Sequence, residues 1–121
     1  MLKKKTVLVI EDDLDIGMMI KLMLRYKGFE VTLVEQMEEV GDILKRSPPN
    51  ILIMDMLLSG SNGVEICKEL KSNVATSRIP IIMMSAHPDA KTSCLQAGAN
   101  DFISKPFDME DMVSKINALT N

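Results

Sequence analysis

Tryptophan is absent from this chain of 121 residues, and the aromatic complement is three Phe and one Tyr. Eleven methionines stand in for the missing rings and predict an interior filled by flexible side chains rather than a methionine-rich groove. Histidine occurs once, at His87, beside Pro88 and two residues past Ser85, so no Ser-His-Asp or Cys-His arrangement can be assembled. The two cysteines, Cys67 and Cys94, match no zinc or redox spacing and read as small, buried, reduced side chains of a reducing compartment. An excess of one charge is lacking as well. Fourteen bases against 17 acids leave a net charge of −3, which excludes a general polyelectrolyte face for nucleic acid. The one basic run, Lys3-Lys4-Lys5, reads as a solvated lead-in to a strand. No signal-type apolar region opens the chain, and no run approaches the roughly 18 apolar residues of a membrane span, so a cytoplasmic location is expected. The length suits one domain over 1–121.

What is present alternates. Solid apolar runs at Thr6–Ile10, Ile51–Met54 and Ile79–Met84, with Glu30–Val34 and the short Asp101–Ser104, predict five strands. Three-four apolar spacing predicts helices over 14–26, 37–46, 64–70, from His87 to Ala97, and from Asp108 to Leu119. Lys27-Gly28, Ser47-Pro48-Pro49-Asn50 and Gly60-Ser61-Asn62-Gly63 punctuate the pattern. Such alternation predicts a parallel α/β sheet covered on both faces. With right-handed crossovers the winding reverses once, giving a doubly wound sheet of order 2-1-3-4-5 and a crevice at the carboxyl ends of strands 1 and 3.

That crevice collects the chemistry. Strand 1 delivers Glu11, Asp12 and Asp13; strand 3 delivers Asp55; strand 4 delivers Ser85; strand 5 delivers Lys105-Pro106. Each has an ordinary reading: an acidic helix cap, a turn acid, a turn hydroxyl, a surface lysine. Glu11 and Asp12 can share a site only if regular strand stops near Ile10, because successive strand residues point to opposite faces. Asp55 is harder to dismiss, since a carboxylate closing a buried apolar run is costly unless paired. Together the set suits phosphoryl transfer. A carboxylate attacks phosphorus, Mg²⁺ between carboxylates neutralises charge, and Lys105 and Ser85 hold the remaining oxygens.

The motifs Val9-Ile10-Glu11-Asp12-Asp13, Asp55 through Gly63, Met84-Ser85-Ala86 and Asp101 through Phe107 resemble the receiver domain of two-component response regulators, the family of the chemotaxis response regulator. The resemblance runs from Val7 to about Leu119 and implies a flavodoxin-like (βα)5 fold. It implies that Glu11, Asp12, Asp55 and the Leu57 backbone carbonyl hold Mg²⁺, and that Asp55 is phosphorylated from a phosphohistidine on a sensor histidine kinase or phosphotransfer protein. Asp13 would start the first helix, Ser85 would be the switch hydroxyl, and Phe102 its coupled aromatic. Lys105 would contact the phosphate, and its bond to Pro106, commonly cis in the family, would aim the lysine into the site. The fourth helix, fifth strand and fifth helix would then present an altered face to a downstream protein; a phosphorylation-dependent dimer through that face is compatible with the sequence. Departures are Ser59 where proline is usual, Glu11 where many members have Asp, and Phe102 without a phenol hydroxyl. Leu57 and His87 occupy the positions that tune phosphate lifetime, and an apolar Leu57 implies slow self-dephosphorylation.

Competing readings are a phosphorylation-independent interaction module on the same fold, a flavin-binding protein, and a hydrolase with its nucleophile on strand 1. Glu11-Asp12-Asp13 would repel a flavin phosphate, and a strand-1 hydrolase leaves Asp55 and Lys105 unexplained. The kinase, the pathway, and whether the chain stands alone or belongs to a longer protein are left open.

Overall fold

Side chains alternate along each strand, and that alternation decides which helix packs where. The structure is a computed structural model and describes residues 3–58 and 61–120; Ser59 lies outside the described residues. Five strands, β1 (Thr6–Ile10), β2 (Glu30–Val34), β3 (Ile51–Asp55), β4 (Ile81–Ser85) and β5 (Asp101–Ser104), form one parallel sheet of order 2-1-3-4-5. Helices α1 (Leu14–Tyr26), α2 (Val40–Arg46), α3 (Gly63–Ser72), α4 (Lys91–Gln96) and α5 (Met109–Thr120) cover it. The flavodoxin-like α/β arrangement is thus the one expected, and its reversal lies between β1 and β3.

On one face Leu8, Ile10, Leu52, Met54, Ile81 and Met83 join Val40, Cys67 and Cys94 beneath α2, α3 and α4. On the other, Val7, Val9, Ile51, Ile53, Ile82 and Met84 meet Ile20 and Leu24 of α1 and Met112 and Ile116 of α5. A fully buried large aliphatic side chain contributes about 1.5–3 kcal/mol. Six residues do not make a stable helix alone, so α4 is held by burial of Cys94 and its neighbour Ala97. Both cysteines are free and buried, and burial pushes both thiols above their ordinary pKa.

Three details depart from the sequence reading. Strand β4 starts at Ile81 rather than Ile79, because Pro80 has no N–H to offer. The Pro80 carbonyl accepts from Leu52 N at 2.9 Å, and the Ile81 N–H is taken by the Asn100 side-chain oxygen at 2.9 Å. The helices expected over 37–46 and from His87 open with 3₁₀ turns, Met37–Glu39 and Pro88–Ala90. Methionine, finally, is not confined to the interior: Met18, Met19 and Met23 lie exposed on α1. Among the described residues no helix is long and apolar enough to cross a membrane.

Candidate functional site

Regular strand stops at Ile10, which releases Glu11 and Asp12 from alternation. The Glu11 N–H donates to the Val34 carbonyl at 3.1 Å, tying the turn to β2, and the Glu11 side chain is fully buried. Asp13 caps α1, its carboxylate accepting from Ile16 N at 3.2 Å. Asp55 ends β3 opposite Met84 of β4 and is 8% exposed. Its Oδ1 accepts from Leu57 N at 3.1 Å.

Lys105 arrives from the end of β5, where the bond to Pro106 is cis. Its ammonium donates to Glu11 Oε1 at 2.6 Å and to Asp55 Oδ2 at 2.6 Å. Oxygens of Glu11, Asp12 and Asp55 lie within 4.8 Å of one another. Two of the three acids, Glu11 and Asp55, therefore share one ammonium, and the local charge shows it. Burial, foremost, raises the Glu11 carboxyl to about 7; the Lys105 bond opposes this and the Asp55 carboxylate adds to it. Burial pulls the Lys105 ammonium down, but its bonds to Asp55 and Glu11 and their charges outweigh that, so its pKa stands above the ordinary lysine value. Mg²⁺ holds oxygens about 2.1 Å away, hence about 3–4 Å from one another. A cluster of hard carboxylate oxygens on this scale fits such an ion and would be relieved of repulsion by it.

Ser85 is 2% exposed at the end of β4, its Oγ accepting from His87 N at 3.0 Å, while the Ser85 carbonyl accepts from Lys105 N at 2.8 Å. Phe102 lies in the core on the face covered by α2, α3 and α4, paired with Met83 in register. Leu57 and His87 are exposed. The structure thus gathers Glu11, Asp12, Asp55 and Lys105 directly, sets Ser85 on the strand beside Asp55, and leaves Phe102 away from the carboxylates.

Two contributions escaped the sequence reading. One is the Lys105–Glu11 bond, since pairing was expected only with a phosphate. The other is Gly63, which looked like loop punctuation. A Cβ there would stand 2.6 Å from the Asp55 carbonyl and 2.7 Å from that of Met56, both backbone atoms. Gly63 N also donates to Met56 O at 2.9 Å, so the start of α3 rests directly on the segment that carries the acceptor. The signal available was the Asn62 cap: its side chain accepts from Val64 N at 2.9 Å, placing Gly63 inside the first turn.

The doubly wound order 2-1-3-4-5 defines the flavodoxin-like class of α/β domains, and it puts the lysine-bridged carboxylates at the switch point where such sheets bind their ligands. The model of the response regulator receiver domain family matches residues 7–117. The chain belongs to that family, and its cluster of Glu11, Asp12 and Asp55 is consistent with a phospho-acceptor site. It is 32% identical over 117 residues to the phosphate regulon transcriptional regulatory protein PhoB of Pseudomonas aeruginosa, covering 95% of this chain and 51% of that protein. The chain therefore spans about half the length of the curated relatives it matches. A structure from Chloroflexus aurantiacus described as a response regulator superposes with a TM-score of 0.92 at 32% identity, covering 98% of each chain. The receiver domain of a sensor histidine kinase from Pseudomonas aeruginosa PAO1, 28% identical with a TM-score of 0.87 over 98% of each chain, has a magnesium ion coordinated in its active-site cleft.

Proposed function

We propose that Asp55 accepts a phosphoryl group from a phosphohistidine on a sensor histidine kinase or phosphotransfer protein, with Mg²⁺ held by Glu11, Asp12, Asp55 and the Leu57 carbonyl. The observation that carries this reading is the Lys105 ammonium, set 2.6 Å from both Glu11 and Asp55 beside a third carboxylate. An Asp55 oxygen attacks phosphorus, the phosphorus–nitrogen bond to the donor imidazole breaks, and an acyl phosphate forms. Bound among the carboxylates, Mg²⁺ supplies charge neutralisation on the transferring group. Lys105 holds Asp55 before transfer, and its ammonium is close enough to shift onto a phosphoryl oxygen afterwards. Ser85 accepts from His87 N and keeps its own proton to donate to the phosphoryl group. Its movement, transmitted to Phe102, would alter the face formed by α4, β5 and α5 for a downstream protein partner, as a population shift between two states. Exposed Leu57 offers no polar group to orient an attacking water, so the phosphate is retained.

The domain makes its contacts with proteins, not with nucleic acid or membrane, in the cytoplasm. The test is Mg²⁺-dependent labelling by a small acyl phosphate. Wild type should take up label and keep it for minutes after the donor is removed; Asp55→Asn should take up none. Absence of label from wild type, with no shift on adding a beryllofluoride mimic, would overturn the proposal in favour of a phosphorylation-independent module.

A further inference from the structure

Helix α3 is packed unequally on its two sides. Toward α4 the approach is close: a Cβ added to Gly98, just past α4, would stand 2.9 Å from Lys71 Cγ. Toward α2 a hollow of about 410 Å³ is left open. Met37 and Leu44 form one wall with Gly41 between them, and Ile66 and Leu70 form the other. All four apolar side chains are only partly buried.

Three features of this hollow work against the domain taken alone. Gly41 sits in α2 without a positive φ, and a Cβ there would meet nothing within 4 Å. Neither backbone geometry nor internal packing calls for glycine, and alanine would hold the helix better. Glu65 and Glu69 stand one turn apart on α3, a like-charge spacing that weakens a helix. Lys68 relieves Glu65 at 3.6 Å, while among the described residues Glu69 has no ion pair. The third feature is the apolar strip itself, left partly in solvent.

We infer that the hollow between α2 and α3 receives an amphipathic helix of a protein partner, one whose apolar strip is flanked by two bases a turn apart. This occupant accounts for all three features. Its strip covers Met37, Leu44, Ile66 and Leu70. Its backbone draws close to α2 at Gly41, where a larger side chain would stand in the way. Its paired bases meet Glu65 and Glu69, whose spacing they match. Among the described residues the lining includes those two acids and no base, so a helix with acids in the same places is repelled. The surface is separate from the α4, β5 and α5 face, and the inference does not depend on phosphorylation of Asp55.

Size sets the affinity. The ten residues of α3 are about 15 Å long, which limits the contact to about three turns and to less than the roughly 800 Å² per partner of a standard interface. The complex is accordingly transient, with Kd on the order of 50 μM.

Fluorescence anisotropy on the full chain tests it, with a labelled helical peptide of about 18 residues as the probe. The peptide is rich in alanine and carries leucines at three-four spacing, with two lysines one turn apart beside them. A second peptide has glutamates in place of the lysines. Wild type should bind the lysine peptide with Kd on the order of 50 μM and the glutamate peptide about tenfold more weakly. Gly41→Leu should fill the hollow and weaken binding by about tenfold or more. Its melting temperature should equal or exceed that of wild type, because the new Cβ meets nothing within the chain. Exchanging both Glu65→Lys and Glu69→Lys should reverse the preference between the peptides. Wild type that binds neither peptide up to about 1 mM overturns the inference. So do equal affinities for the two peptides, a double exchange that leaves the preference unchanged, or Gly41→Leu binding as wild type does. A lowered melting temperature for Gly41→Leu overturns it too, since the glycine would then serve the fold itself.

Discussion

Strands β1 and β3 are neighbours along their whole length, yet their two ends are finished in opposite ways. At the amino ends Thr6 and Asn50 bind each other reciprocally: Thr6 N and Oγ1 donate to Asn50 Oδ1 at 2.8 and 3.1 Å, and Asn50 N donates to Thr6 Oγ1 at 3.0 Å. That pairing is uncharged and mutually satisfied. At the carboxyl ends three carboxylates cluster, two of them, Glu11 and Asp55, share a single ammonium, and Glu11 is fully buried. Hydrogen bonding is met there too, since no buried polar side-chain atom among the described residues lacks a partner. The imbalance is one of charge alone. Stability would be served by repeating the neutral stitch at both ends, so the surplus of acid supports the proposed cation and phosphoryl site at this end.

Asp55→Asn and Asn50→Ala break this contrast most sharply. The first should abolish labelling by an acyl phosphate while the fold persists. The second should leave labelling intact and lower unfolding stability by about 1–2 kcal/mol, measured by urea titration. Lys105→Met comes next. Leaving two close carboxylates without their shared ammonium should cost about 3 kcal/mol in metal-free buffer, and saturating Mg²⁺ should recover part of the loss. The same titration on Asn50→Ala should show no recovery. Gly63→Ala should cost about 1–3 kcal/mol, because the new Cβ meets backbone on both Asp55 and Met56. It should slow labelling as well, linking an α3 residue to the acceptor.

The last contrast concerns pH. A carboxyl raised to about 7 in the folded chain and ordinary in the unfolded one weakens the metal-free fold as pH climbs from 4.5 toward 7, where only the unfolded chain has released its proton. Mg²⁺ must displace that proton below pH 7. Its affinity, read by calorimetry, should therefore rise by up to about tenfold per pH unit to that point and level off above it. A pH-independent affinity would show that Glu11 is already ionised in the metal-free protein.

Strands buried on both faces were plain in the sequence because short, β-branched apolar runs such as Ile51 to Met54 are bounded by turn residues, and Asp55 was plain because it closes one. That Glu11 and Asp12 share one site was readable only as a condition, met because β1 stops at Ile10. Lys105 could be assigned to the crevice but not to Glu11, since that bond spans 94 positions and depends on where two strand ends finish in space. Gly63 was hidden for a related reason: its constraint comes from the backbone of β3, and a glycine looks alike in a loop and under a close approach. Periodicity gave α1 a wide apolar face without saying how much of it the sheet would cover. Pro80 misled by a single missing N–H, which moved the start of β4 two residues on.

Cys67 and Cys94, sealed beneath α3 and α4, have one further consequence. Tyr26 is the chain's only tyrosine and sits in solvent, so intrinsic fluorescence carries little news of the interior. The thiols carry it instead. A thiol-reactive dye reaches neither until its helix lifts from the sheet, and under fast reclosing its labelling rate scales with the equilibrium population of the open form. Single-cysteine variants would then time the opening of α3 and α4 separately. Comparing those rates with and without acyl phosphate would show whether chemistry at Asp55 loosens one helix before the other.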